Sequence, residues 1–246
     1  NKNKINFKEK IVLVSGAGGS IGSELCRQII ELQPKQILLL DHSEINLYNI
    51  NNDLNYLKLK HKLETKIINI LSNIQNKYKL DNIFLKYKPQ YVFHAAAYKH
   101  VPIVEDNIIE SINNNVIGTY NIADVSNKNF VQKFILVSTD KAVRPTNIMG
   151  ATKRAAEICI QIYSKLKNDK SSGTIFSIVR FGNVVGSSGS VVPLFSKQIS
   201  MGGPISLTHP EVTRFLMTIP EAVSLILYSN EISKGGEVFV LDMGDS

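Results

Sequence analysis

The sequence predicts a doubly wound parallel α/β sheet, and three observations carry that prediction. Short runs that stay apolar at successive positions recur at 11–15, 36–40, 66–70, 91–94, 133–138 and 175–180, as expected of strands covered on both faces. Longer stretches of helical period lie between them, notably at 20–32, 43–60 and 148–167. A glycine-rich turn stands where the first strand would meet the first helix. Alternation of this kind implies parallel crossovers, each placing a helix on one face of the sheet.

The first strand, IVLVS, feeds Gly16-Ala17-Gly18-Gly19-Ser20-Ile21-Gly22. Glycines at 16, 19 and 22 let a backbone approach a pyrophosphate, and the helix N-terminus adds free N–H groups and partial positive charge. The second strand ends near Asp41, about 20 residues on, the separation expected of a dinucleotide site. A carboxylate there accepts from both ribose hydroxyls and repels a 2′-phosphate, and His42-Ser43-Glu44 offers no arginine to hold one, so NAD is expected over NADP. A plainer reading makes Asp41 the cap of the helix that starts near Ser43.

Asn69 and Ile70, closing the third strand, are further candidate cofactor contacts, as is Ser43. The fourth strand runs into His94-Ala95-Ala96-Ala97-Tyr98-Lys99-His100, whose small alanines leave room at the sheet crevice. Lys99 suits a substrate phosphate or a solvated loop, and Asn115, within Asn113-Asn114-Asn115, suits the cofactor or a polar helix face. The fifth strand ends in Ser138-Thr139-Asp140-Lys141, and the next helix opens with Met149-Gly150-Ala151-Thr152-Lys153. Met149 and Lys153, four apart, share one helix face.

Beyond Arg180 the sequence is rich in Gly, Ser and Pro, which predicts loops and short elements outside the sheet, then a helix near 220–229 and a strand at 237–241. The expected division is a dinucleotide-binding domain over 1–181 and substrate-binding segments over 182–246, with a returning helix and strand. The substrate region looks truncated, as though the chain were a fragment.

Composition narrows the partners. With 246 residues, 43% of them hydrophobic, the chain can bury a sizeable core. Two cysteines far apart argue against a disulfide scaffold and a structural metal site, and suit a reducing, cytoplasmic setting. The net charge of +7 is mostly scattered lysine. Arginine is confined to Arg27, Arg144, Arg154, Arg180 and Arg214, and no nucleic-acid-binding motif is present, so no nucleic-acid partner is expected. No apolar run reaches the length of a membrane span, so no membrane contact is expected of these residues.

The segments SGAGGSIGSELCRQI, LLLDHSEINLY, VFHAAAYKHVPIVE, LVSTDKAVRPTNIMGATKRAAE, VRFGNVVGSSGSVVPLF and THPEVTRF together resemble the extended short-chain dehydrogenase/reductase family. Within it they are most similar to bacterial nucleotide-sugar 4,6-dehydratases of polysaccharide and protein-glycan biosynthesis. The resemblance implies a Rossmann fold, NAD, a UDP-sugar substrate (UDP-N-acetylglucosamine), and a homo-oligomer, membrane-anchored in some similar proteins. It also implies internal redox at C4, loss of water across C5 and C6, and return of the hydride to C6.

By that resemblance Asp140 is the acid for the departing hydroxyl and Lys141 the base at C5, its basicity tuned by burial and cations such as Lys153. Thr139 bonds the C4 oxygen, and Lys153 binds the nicotinamide ribose. Asn183, Ser190, Val191 and Arg214 match substrate positions, although Arg214 also suits a surface ion pair. One departure stands out: Met149 occupies the place of the usual catalytic tyrosine, and a thioether neither gives nor takes a proton. A related epimerase, a C5-inverting dehydratase and a non-catalytic NAD-binding regulator remain the alternatives.

Overall fold

The structure is a computed structural model, and it describes residues 5–166, 173–187, 191–207, 209 and 216–243. The chain starts with β1 (Ile11–Ser15) and builds first to one side, through α1 (Ser20–Glu31), β2 (Gln36–Asp41), α2 (Glu44–His61) and β3 (Lys66–Leu71). Helix α3 (Lys77–Tyr87) then carries it back across β1 to β4 (Tyr91–His94). Outward on that side follow α4 (Val101–Asp106), α5 (Ile108–Ile112), α6 (Gly118–Lys128), β5 (Lys133–Thr139), α7 (Ile148–Lys165) and β6 (Ile175–Phe181). The last elements are β7 (Asn183–Val185), α8 (Val191–Ser200), β8 (Leu216–Thr218), α9 (Ile219–Ile232) and β9 (Val238–Val240).

Among the described residues, seven strands form one parallel sheet in the order β3-β2-β1-β4-β5-β6-β9. The doubly wound prediction is met. The winding reverses between β1 and β4, and that reversal opens a crevice beyond the strands' carboxyl ends. Alternation along IVLVS explains the layers. Val12 and Val14 join Leu25, Ile29, Leu47 and Ile226 on one face, while Leu13 joins Leu80, Phe84, Ile122 and Ile160 on the other.

Several strands run one residue past their predicted ends, adding Asp41, Leu71, Thr139 and Phe181. The added residues are ladder partners of one another, Asp41 with Leu71 and Thr139 with Phe181, so the backbone pairing carries each strand one position beyond the run that marks it. In the segment after 182, β7 and β8 pair outside the main sheet, but β9 adds to its edge beside β6. Helix α9 lies against α1, where Gln28 donates to Pro220 O at 3.0 Å and accepts from Ser224 at 3.0 Å. Among the described residues no helix is long and apolar enough to cross a membrane.

Buried polar groups hold the reversal point. Ser15 and His94 are register partners at the ends of β1 and β4, and Ser15 Oγ lies 2.6 Å from His94 Nδ1. On the other side of the ring, His94 Nε2 lies 2.9 Å from Thr119 Oγ1, whose hydroxyl donates to Asn115 O at 2.7 Å. A threonine has one hydroxyl proton, so His94 carries its own on Nε2 and accepts from Ser15 at Nδ1. Burial, reinforced by the Lys153 ammonium, pushes His94 down to about 3. The ring is neutral in the folded protein.

A pH dependence of stability follows. The folded pKa lies below the ordinary value of 6.5, so the unfolded chain binds the extra proton. His94's contribution is complete above the unfolded value and is lost as pH falls toward the folded one. Urea-unfolding free energy should drop from pH 7 to pH 5, approaching about 1.4 kcal/mol per pH unit once below the unfolded value. His94→Gln should flatten that slope; equal slopes in the two proteins would refute the buried neutral ring.

Candidate active site

The crevice is built first from glycine. Gly16 has φ +68°, and a Cβ there would stand 2.7 Å from Ala96 N and 2.8 Å from Ala96 Cα. The turn after β1 thus meets the turn after β4 backbone to backbone, an approach only glycine allows. The N–H groups of Gly16 and Ala17 both donate to Leu40 O, at 2.8 and 3.2 Å, fixing the loop over β2. Helix α1 then starts from Gly19 with no side-chain cap and no acidic residue in its first turn. Ser20 and Ile21 open that helix and Gly22 is buried within it, so its positive end is kept for an anion.

Asp41 is buried and ties this loop to α2. Its Oδ2 accepts from Gly18 N at 2.9 Å and its Oδ1 from Ser43 N at 3.0 Å. Of the two readings of Asp41, the cap role falls to Ser43, whose hydroxyl accepts from Asn46 N at 3.3 Å. Asp41 keeps acceptor capacity on both oxygens. Farther along the edge, Asn69 donates to Asn51 Oδ1 at 2.9 Å. The Ile70 side chain packs into the core, leaving only its backbone to meet a ligand.

Beyond β4, Ala95 N donates to Ser15 O at 3.0 Å, and Ala95, Ala96 and Ala97 are half-buried at the mouth of the crevice. Asn115 sits in a π-helical turn, Asn113–Ile117, between α5 and α6. Its amide accepts from Tyr98 N at 2.8 Å and Asn114 Nδ2 at 3.1 Å, and donates to Tyr98 O at 3.0 Å and Thr152 Oγ1 at 3.1 Å. Two acceptor and two donor sites are all occupied by protein. What the structure shows of Asn115 is a brace for the alanine loop and for Lys99, which is exposed one residue past Tyr98.

The chemistry-bearing cluster lies beyond β5 and β6. Thr139 Oγ1 donates to Asp140 Oδ1 at 2.8 Å. Lys141 Nζ reaches the same oxygen at 3.1 Å and Asn183 Oδ1 at 3.3 Å. A short 3₁₀ turn, Asp140–Ala142, presents the pair. Sequence neighbours and a residue 42 positions away thus share one knot.

Met149 and Lys153 do share a face of α7, and both side chains are buried. Lys153 Nζ donates to Val137 O at 2.7 Å. Burial pulls the Lys153 ammonium down to about 8, against a smaller opposing pull from Glu157. The burial expected at Lys141 is therefore found at Lys153. Lys141 itself is 35% exposed and paired with a carboxylate, because the strand-end turn lifts it out of the layers that enclose α7.

Glu157, Ser15, His94, Thr119 and Thr152 carry the polar framework of this edge without forming a motif. For Glu157 the available signal was its position four residues past Lys153 on the same buried face. Ser190 and Arg214 lie outside the described residues, and Val191 opens α8.

Comparison with known proteins agrees with this fold. Residues 12–246 match the family described as polysaccharide biosynthesis protein. The capsular polysaccharide biosynthesis protein CapD of Staphylococcus aureus is 49% identical over 96% of this chain, which spans only 38% of that relative's length. A UDP-N-acetylglucosamine 4,6-dehydratase (inverting) of Campylobacter jejuni is 33% identical over 95% of this chain and 67% of its own. A UDP-glucose 4-epimerase of Rickettsia canadensis is 34% identical over 95% and 66%.

Among solved structures, Pen from Bacillus thuringiensis superposes with a TM-score of 0.88 at 35% identity, covering 96% of this chain and 72% of that one. A dTDP-glucose 4,6-dehydratase from Streptomyces venezuelae, bound to NAD, shares the fold with a TM-score of 0.79 at 19% identity, over 94% and 74%. The chain belongs to the polysaccharide biosynthesis protein family, and the proteins similar to it include nucleotide-sugar dehydratases and epimerases.

Proposed function

We propose that this chain carries the catalytic site of an NAD-dependent nucleotide-sugar 4,6-dehydratase acting on UDP-N-acetylglucosamine. The observation that carries this reading is the hydrogen-bonded set Thr139–Asp140–Lys141–Asn183 beside a buried Met149. A dehydrogenase that relies on a tyrosine has no proton acceptor at position 149. A turn that offers a hydroxyl, a carboxyl and an ammonium supplies acid and base from its own residues.

The turn at Gly16 suits the diphosphate of a dinucleotide, since its backbone packs directly on Ala96 and the helix it opens has no side-chain cap at its N-terminus. Asp41, with its remaining lone pairs, suits a ribose diol and disfavours a 2′-phosphate. NAD, when bound, supplies reversible hydride acceptance from a sugar carbon. Asn69, Ile70 and Ala95–Ala97 line the remainder of that groove, and Lys153 holds the nicotinamide ribose and steadies negative charge on the C4 oxygen.

Thr139 binds the C4 hydroxyl and passes its proton to Asp140, 2.8 Å away. Asp140 then gives that proton to the C6 hydroxyl, which leaves as water. Lys141, in its neutral form, takes the C5 proton and returns it to C5 once C6 is reduced. The proton count closes with the loss of one water. Asn183 orients Lys141, while Lys99, Ser190, Val191 and Arg214 form the side that meets the UDP group. Similarity to a UDP-glucose 4-epimerase supports a second reading, in which the same ketone is reduced on its other face and no water is lost.

Mass spectrometry after incubation with UDP-N-acetylglucosamine separates these readings. The dehydratase gives a product lighter by one water; unchanged mass with altered stereochemistry makes the chain an epimerase. NAD binding without any sugar-nucleotide affinity makes it a regulator. Asp140→Asn and Lys141→Met should each keep NAD binding in calorimetry and lose turnover by about 100-fold or more. Near-wild-type turnover in either variant would remove that residue from its role.

A further inference from the structure

Helix α7 carries a buried carboxylate that the proposed reaction does not use. Glu157 is fully buried, and its Oε1 accepts from Ser138 Oγ at 2.7 Å and from Arg180 Nε at 2.7 Å. Its Oε2 accepts from a second Arg180 nitrogen and, at 3.0 Å, from Arg154. Burial alone would raise this carboxyl, but the bonds from Arg180, Ser138 and Arg154 hold it below the usual range. It is an anion inside the protein.

The partners are specific. Ser138 and Arg180 face each other in register on β5 and β6. The next residue on β5 is Thr139, followed by Asp140 and Lys141, and two residues beyond β6 stands Asn183. One carboxylate therefore pins together the two strand ends that deliver the catalytic turn and its Asn183 partner. Four residues back along α7 lies Lys153, on which Glu157 acts electrostatically.

We propose that Glu157 is a positioning residue: it locks the ends of β5 and β6 beneath the Thr139–Lys141 turn and supplies the counter-charge that keeps Lys153 an ammonium. The inference rests on the proposed function only for its meaning in turnover. Other charges near Lys153 do not fill this place. His94 from β4 is neutral, and the Asp140–Lys141 pair beyond β5 balances itself. Arg180 from β6 and Arg154 on α7 are cations bound to that same carboxylate, so neither can take its place beside an ammonium. Glu105 at the end of α4 accepts from Ile148 N at the head of α7.

The test is an NMR titration of Lys153 in protein labelled with ¹³C at lysine Cε, its signal assigned by loss in Lys153→Arg. Removing the anion favours the neutral amine, so Glu157→Gln should lower the Lys153 midpoint by about one pH unit or more. The alkaline limb of turnover should move down with it. Ser138→Ala removes a hydrogen bond but no charge; it should reduce thermal stability and leave the midpoint in place. Arg154→Gln, on the half-exposed side, frees more of the carboxylate's field and should raise the midpoint by a few tenths of a unit, about what a screened surface charge contributes.

An unmoved midpoint in Glu157→Gln, or an equal shift in Ser138→Ala, overturns the proposal. If Glu157→Gln does not fold, Arg154→Gln decides by rising or not rising. The titration needs no sugar nucleotide, so failure of the dehydratase reading would show as absent water loss while this readout stands.

Discussion

The contact of Gly16 with Ala96 exists because β1 and β4 lie side by side and parallel, both ending at the same edge of the sheet. Everything functional in the chain depends on that pairing. It creates the crevice where the winding reverses and brings the glycine turn against the alanine loop. The pairing is itself secured from within by Ser15, His94 and Thr119. A buried imidazole with both nitrogens engaged has one tautomer and one orientation, so it locks the register of the two strands more firmly than apolar packing would.

The same edge shows how burial is distributed among the charges. Lys153 and Glu157 are enclosed by α7 and the sheet, whereas Asp140 and Lys141 stand on a turn that leaves them half-exposed. Enclosure makes a charge expensive unless it is paired, and Glu157 is paired three ways. Exposure leaves side chains able to exchange partners. In the proposed reaction Asp140 and Lys141 must release each other to meet a substrate, and a solvent-facing pair held at 3.1 Å can do so cheaply. The fixed groups are inside, the exchanging ones outside.

Much of this was legible in the chain. The six apolar runs became strands because a residue covered on both faces has to be apolar whatever its neighbours, and Gly16 through Gly22 announced their turn by the absence of side chains. What the sequence concealed was of a different kind. Whether Lys141 or Lys153 is buried depends on how the strand-end turn and the following helix pack against the sheet, which the spacing of the two lysines does not record. Asn115 suited either the cofactor or a polar helix face, and its amide bonds Tyr98, Asn114 and Thr152. Glu157 stands in no motif; the positions of Ser138 and Arg180 in adjacent strands make it a buried hub. Pairings across the sheet are long-range facts, and local spacing does not record them.

Met149 gives these arrangements their consequence. In a site with tyrosine at that position, the buried lysine next to it serves a phenol that holds the reacting proton. Here the lysine is buried, with Nζ on Val137 O, yet a thioether at 4% exposure stands in the phenol's place. In the proposed reaction proton transfer then runs through groups on another element, the hydrogen-bonded set of Thr139, Asp140 and Lys141. In that reaction Lys153 is left with an electrostatic task, holding a ribose and steadying a negative oxygen, for which only its charge matters. That is why the charge on Glu157, more than its hydrogen bonds, is the quantity on which the alkaline behaviour of this site should turn.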